Sequence, residues 1–116
     1  MAKILVVDDE RSIRNSMKEV LEFEGHTVVL AEDGEAGLKE AEKEQYDIVF
    51  SDIKMPKMDG IELLSKMREL QPSTKMILIS GHGTIETAVQ CMRNGAFDFI
   101  EKPMNLNRLL QTVKEA

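Results

Sequence analysis

The sequence predicts an α/β fold, an open doubly wound sheet of five parallel strands with helices on both faces. Three observations carry that prediction. Short apolar runs alternate strictly with helical apolar stripes, giving five strand–helix units. The runs are apolar on both faces, as in strands covered by helices on either side. The 116 residues make one domain's worth of chain, and a closed barrel would need about eight such units.

Each element can be justified in turn. Lys3–Val7 is an apolar run after one lysine, the first buried strand. Ile13, Met17, Val20 and Leu21 then recur at helical spacing, and Gly25 follows as a stop. Thr27–Ala31 is rich in β-branched residues, a second strand. Asp33 is a good N-cap for a helix carrying Leu38 and Ala41 on one face. Residues 47–51 contain Ile48, Val49 and Phe50, the third strand. Ile61, Leu64 and Met67 mark the next helix, which Pro72 ends. Residues 76–79 form the fourth strand. Ile85, Ala88, Val89 and Met92 make an i, i+3, i+4, i+7 stripe, with Gly95 suited to its C-terminal end. Cys91 lies off that stripe and is expected to be partly exposed. Residues 97–100 are a short fifth strand, and Leu106, Leu109, Leu110 and Val113 give the last helical stripe. No repeat or linker-like tract marks an internal boundary, so residues 1–116 read as one domain.

Composition excludes several function classes. Acidic residues outnumber basic ones 21 to 15, a net charge of −6, so there is no basic surplus to offset phosphates. Direct nucleic-acid binding and attachment to an anionic membrane are not expected of this domain. No apolar run approaches the ~18 residues of a membrane helix, and Asp8 and Asp9 end the opening apolar stretch too early for a secretion signal. Cys91 is a single cysteine, and the cytoplasm is the expected compartment. With the two histidines far apart, it makes no zinc set, and His26 is expected at the surface. Gly81-His82-Gly83 is a fragment of a dinucleotide fingerprint after the wrong strand, and Leu78 stands where a nucleophile elbow before Ser80 needs glycine.

In open parallel sheets, ligands sit at the carboxyl ends of the strands, near the point where strand order reverses. Asp8, Asp9 and Glu10 follow the first strand; Asp52 and then Lys54-Met55-Pro56 follow the third. Ser80-Gly81-His82-Gly83-Thr84 follows the fourth, and Glu101-Lys102-Pro103 the fifth. Each signal alone has an ordinary reading as a cap, turn or surface residue. Their convergence on one rim does not. If the first and third strands are neighbours, Asp8, Asp9 and Asp52 meet there, and their repulsion calls for protonation, a cationic partner or a metal. Oxygen donors suit a hard cation, Mg²⁺ above Ca²⁺ or Mn²⁺. Mg²⁺, the Lys102 ammonium and the Ser80 hydroxyl together make a set of groups for handling a phosphoryl group, with a carboxylate as the available nucleophile.

The segments Ile4-Leu5-Val6-Val7-Asp8-Asp9-Glu10, Ser51-Asp52-Ile53-Lys54-Met55-Pro56-Lys57-Met58-Asp59-Gly60, Ser80-Gly81-His82-Gly83 and Lys102-Pro103 occur in the order of a known family. Over essentially its full length the chain resembles the receiver domain of bacterial response regulators, with the CheY-like, flavodoxin-like three-layer (βα)5 fold and strand order 2-1-3-4-5. The resemblance implies that Asp52 accepts a phosphoryl group from a sensor histidine kinase or phosphotransfer protein. It implies that Asp9, Asp52 and the backbone carbonyl of Lys54 hold Mg²⁺, with Asp8 acting through water. Lys102 would pair with a phosphoryl oxygen. Ser80 would hydrogen-bond the phosphoryl group, and Phe99, at the aromatic switch position, would swing in behind it. Lys54 and His82 would tune the lifetime of the phospho-form. Lys102-Pro103 would be cis.

The stretches 80–85 and 96–103 look most like receivers of the nitrogen-regulator class, which precede an ATPase that activates an alternative sigma factor and a DNA-binding domain. The switch is then expected to report on the fourth helix, fifth strand and fifth helix, a face including Cys91, Arg93, Asn94, Asn107 and Arg108, where an output domain, a partner or a second copy would dock. The chain stops at Ala116 without a helix stop signal, as expected of a domain excised from a longer regulator more than of a stand-alone receiver. Two other readings compete. A Mg²⁺-dependent phosphatase or phosphotransferase with an aspartyl nucleophile would want more chain for a substrate pocket and cap. An interaction module without phosphorylation would not need Asp9, Asp52, Ser80 and Lys102 together.

Overall fold

The apolar runs become strands and the stripes become helices in strict alternation. The computed structural model describes residues 1–81 and 84–116. Strands β1 (Lys3–Val7), β2 (Thr27–Ala31), β3 (Ile48–Asp52), β4 (Lys75–Ser80) and β5 (Asp98–Glu101) alternate with helices α1 (Arg11–Phe23), α2 (Gly34–Lys43), α3 (Gly60–Leu70), α4 (Ile85–Arg93) and α5 (Leu106–Glu115). The strands pair in parallel in the order β2-β1-β3-β4-β5. This is the five-unit open sheet that the sequence predicts.

Strands β1 and β2 occupy the predicted residues; β3 and β5 sit one residue later, and β4 extends one residue at each end. The ladder explains the difference. Asp52 pairs with Ile79 and Ser80 with Glu101, so hydrogen bonding carries the strands past their last apolar residue into polar ones. Those polar residues occupy the carboxyl rim of the sheet.

Successive strand residues face opposite sides, so each strand feeds two core layers. Leu5, Val7, Val49 and Leu78 pack on one side with Ala41, Leu63, Leu64, Met67 and Cys91. Ile4, Val6, Phe50, Ile77, Ile79 and Ile100 pack on the other with Met17, Leu21, Leu109 and Val113. Each fully buried aliphatic side chain contributes about 1.5–3 kcal/mol, and the two layers hold the sheet between α2–α4 on one side and α1 and α5 on the other.

Two expectations about single residues are corrected. Cys91 is fully buried, while Ile85, Val89 and Met92 are 84%, 42% and 46% exposed. The helical period is right, but α4 turns its larger apolar side chains outward and seats the small thiol against the sheet, where a compact hydrophobe allows close approach. Burial, with a lesser effect of Asp59, pushes the thiol's pKa up, so it is unactivated. Cys91 therefore does not belong to the surface of the α4–β5–α5 face. His26 is half-buried, its Nδ1 accepting the Ala2 N–H at 3.0 Å.

The loops that carry the site are anchored by caps and one close approach. Asp33 and Asp59 accept the N–H groups of Ala36 and Glu62, each at 2.8 Å. Gly60 begins α3 directly behind the end of β3; a Cβ there would stand 2.2 Å from the Asp52 carbonyl oxygen. The Lys102–Pro103 peptide is cis.

Because the Asp52 carbonyl is backbone and cannot swing aside, Gly60→Ala should destabilise the fold by about 1–3 kcal/mol, read as a lower urea midpoint. A native-state thiol reagent should leave Cys91 unlabelled for as long as the protein stays folded. Val89→Cys should label at once under the same conditions.

Candidate functional site

The strand order sets the place where chemistry can occur. From β1 the chain steps outward to β2, then crosses to β3 on the other side of β1. The reversal leaves a crevice beyond the carboxyl ends of β1 and β3. Asp8 is the first residue past β1 and Asp52 is the last of β3. Their direction follows from the two-residue period. Asp8 continues the set of Ile4 and Val6, Asp52 that of Ile48 and Phe50, and Lys102 that of Ile100, all in the same core layer. The apolar alternation that packs the core thus ends in two carboxylates and an ammonium on one side of the rim.

These groups meet. Lys102 Nζ lies 3.1 Å from Asp52 Oδ2 and 3.4 Å from Asp8 Oδ2, across 50 and 94 residues of sequence. Both carboxylates are nearly covered, at 1% exposure for Asp8 and 6% for Asp52. Their other oxygens are held by backbone: Asp8 Oδ1 accepts the Glu10 N–H and Asp52 Oδ1 the Ile53 N–H, each at 2.8 Å. The lysine is placed in turn by its own N–H, which donates to the Ser80 carbonyl at 2.8 Å.

The electrostatics are those of crowded acids with one cation. Burial raises the Asp8 pKa above its ordinary value, and the Asp52 charge adds to this; the Glu10 N–H and Lys102 pull the other way without winning. For Lys102, burial alone would lower the pKa, but the hydrogen bond to Asp52 and the charges of Asp8 and Asp52 together raise it. Lys102 stays an ammonium at neutral pH.

One lysine does not balance the acids. Asp8, Asp9 and Glu10 each offer an oxygen within 4.8 Å of the others, and Asp9 is exposed and in no ion pair among the described residues. Sequence alone assigns Glu10 no role, yet its carboxylate also lies 3.9 Å from Lys102 Nζ. The signal for it was the Asp8-x-Glu10 spacing, since an aspartate that bonds the N–H two residues on folds that residue back toward itself. All available donors are oxygens, which suits a hard cation.

Of the other predicted residues, Ser80 is buried at the end of β4, one step past the partner of Asp52. Phe99 is half-buried against the layer of Leu78, its own partner in the ladder. Lys54 is exposed just after β3. His82 lies outside the described residues. Met55 and Met58, in the loop after β3, are partly buried against the core.

A family described as the response regulator receiver domain matches residues 4–114. The chain belongs to that family. This receiver is 41% identical over 113 residues to the C4-dicarboxylate transport transcriptional regulatory protein DctD of Rhizobium meliloti, covering 97% of this chain and 25% of the relative. It spans about a quarter of the length of that relative and of the nitrogen assimilation regulatory protein NtrX of Azorhizobium caulinodans, 40% identical over 97% of this chain. Among solved structures, a CheY-like receiver domain protein from Methanospirillum hungatei superposes with a TM-score of 0.95 at 40% identity, covering 99% of this chain and 92% of that one. A response regulator from Burkholderia pseudomallei, solved with a phosphorylated aspartic acid, a calcium ion and citrate, gives 0.90 at 28% identity over 97% of this chain and 66% of its own. No helix among the described residues of this receiver is long and apolar enough to cross a membrane.

The raised pKa of Asp8 carries a stability consequence with a definite sign. A carboxyl group that binds its proton more tightly when folded contributes stability below its unfolded value, 3.8, and loses it as pH rises through the folded value. Ionised Asp8 therefore works against the fold at neutral pH. Asp8→Asn keeps an acceptor for the Glu10 N–H and should stabilise the metal-free protein by about 1 kcal/mol at pH 7. That gain should fade as the pH is lowered through the folded value of Asp8 and be gone below 3.8, checked by urea titrations across the acid range.

Proposed function

We propose that this domain is the phosphorylation-dependent switch of a two-component system, taking a phosphoryl group onto Asp52 from a phosphohistidine of a sensor kinase or phosphotransfer protein. The observation that carries the reading is a buried carboxylate at the strand-order reversal with an ammonium 3.1 Å from one of its oxygens. The phosphorylated aspartic acid of the Burkholderia relative adds support.

The chemistry is a displacement at phosphorus. A lone pair on an Asp52 oxygen forms the new P–O bond as the P–N bond to histidine breaks, and the departing imidazole keeps that electron pair. Positioning and charge neutralisation dominate such transfers. Lys102, fixed between Asp8 and Asp52, places positive charge where phosphoryl oxygens gather negative charge. The Ile53 N–H bond holds the carboxylate plane. Asp9, Asp52 and the Lys54 carbonyl would hold Mg²⁺, with Asp8 acting through water and Glu10 completing the acidic cluster. When bound, the ion supplies the second positive charge that one lysine leaves lacking. Asp52 reacts once per phosphoryl group, so the domain is an acceptor and not a turnover enzyme.

Signalling follows from the layer change at the rim. Ser80 belongs by period to the Leu78 layer, and Asp52 to the Phe50 layer. A phosphoryl group lengthens the Asp52 side chain and offers oxygens that the Ser80 hydroxyl can reach, which biases two conformers. Phe99, beside Leu78, repacks by contact alone, since it has no hydroxyl. Exposed Arg93, Asn94 and Asn107, with the outward stripe of α4, then make the face read by an output domain, a partner or a second copy. The similarity to DctD, a transcriptional regulatory protein, and to NtrX, a nitrogen assimilation regulatory protein, supports transcriptional control as the downstream effect; the likeness to nitrogen-regulator receivers would make ATPase and DNA-binding domains the output. Lys54, two residues past Asp52, and His82, two residues past Ser80 in sequence, set the phospho-form's lifetime.

Incubation with Mg²⁺ and acetyl phosphate or beryllofluoride should shift backbone NMR signals around Asp52, Ser80 and Phe99 at one equivalent per chain. Asp52→Asn should abolish the response. Multiple turnover of an external substrate would replace the switch with an enzyme, and no response from the wild type would leave an interaction module.

A further inference from the structure

The turn that carries the acidic cluster has an anchor outside the acids. Helices α2 to α5 each begin with a side-chain cap, but the N-cap of α1, Glu10, makes no such bond. The chain between β1 and α1 is held otherwise. The Asp8 N–H donates to the Ala31 carbonyl at 3.1 Å, the last tie to β2. The Asp8 side chain holds the Glu10 N–H. The Asp8 carbonyl, past the end of the sheet, accepts from the Arg14 guanidinium, Nη1 to O at 2.7 Å. Arg14 sits one helical turn into α1, where side chains lean back toward the N-terminus and over this carbonyl.

We infer that Arg14 is a positioning residue for the cation site: its bond to the Asp8 carbonyl fixes the Asp8–Asp9 peptide and so the direction of the Asp9 carboxylate. This rests on the proposed function, in which Asp9 holds Mg²⁺. Arg14 forms no ion pair among the described residues, so it orders the turn without neutralising the carboxylates the cation would need. Lys102 does the opposite, occupying Asp8 and Asp52 directly. The two cations therefore have different work, one on the carboxylate oxygens and one on the peptide between them.

The sign of the effect separates positioning from charge. Arg14 is a positive group near a cation site. If it acts only through charge, its removal tightens Mg²⁺ binding. If it positions the turn, removal weakens binding, typically by about tenfold for a residue that orients a ligand. Calorimetric titration with Mg²⁺ alone, with the Asp9 and Glu10 amide shifts followed by NMR, should give about tenfold weaker binding for Arg14→Met. Arg14→Lys, still able to donate to the carbonyl, should recover most of the loss. Saturating Mg²⁺ should return acetyl phosphate labelling of Arg14→Met to near the wild-type rate, which a general loss of fold would not do. Unchanged or tighter Mg²⁺ binding in Arg14→Met overturns the inference. If that variant does not fold, the same reading is made on Arg14→Lys and on Arg14→Leu, which cannot donate, where equal affinities overturn it. A wild type that binds no Mg²⁺ defeats the proposed function itself, and this inference with it.

Discussion

Two buried carboxylates within reach of one ammonium are the constraint around which the rest of this domain is arranged. Asp8 and Asp52 repel each other, and burial takes away the water that would otherwise screen them. Lys102 makes the pair tolerable, at 3.4 and 3.1 Å. It is supplied by the far end of the chain, so the site exists only when β1, β3 and β5 are all in register. The Ser80 carbonyl that accepts the Lys102 N–H brings β4 into the same arrangement. Unpaired acids at this rim would cost the fold several kcal/mol, and the raised pKa of Asp8 shows that pairing does not remove the cost entirely. On the proposed function, stability is given up at the place where charge is to be handled.

The two-layer core explains how such a cluster arises from a simple pattern. Strict alternation in β1, β3 and β5 sends one set of residues to the α1–α5 side, and that set ends in Asp8, Asp52 and Lys102. The other set, through Leu78 and Phe99, leads to Ser80 and the α2–α4 side. Asp52 and Ser80 therefore stand on different layers while sharing one rim.

Much of this was legible in the residues. Apolar runs and helical stripes are set by burial, and burial repeats along the chain with a period that can be counted; hence the elements, and the acids at strand ends, fall where expected. What was not legible depends on distance between parts of the chain. The burial of Cys91 is not readable, because a helical period does not say which of two apolar faces meets the sheet, and in α4 the small thiol is buried while Ile85 and Met92 are exposed. The approach of Glu10 to Lys102 is hidden in the sequence because it depends on a turn bond made by Asp8. Strand ends moved by a residue because ladder pairing, not hydrophobicity, sets them. The role of Arg14 is of the same kind, since nothing in its local sequence marks the carbonyl that it meets.

The rim also constrains how a change at Asp52 can travel. The Lys102 N–H is bonded to the Ser80 carbonyl, and Ser80 and Glu101 are partners in the ladder, so the ends of β4 and β5 cannot separate without breaking the sheet. Backbone displacement is thus the costly response to new charge at Asp52, and side-chain rearrangement the cheap one. Ser80 and Phe99 are the side chains that face the layer where α4 sits, and α4 buries little there besides Cys91. A helix held by one small buried side chain, with its larger apolar residues already outward, can shift at less cost than α3, which is anchored by Leu63, Leu64 and Met67. On the proposed function, the signal leaves through α4 because that is where the fold is held least firmly next to where the charge arrives.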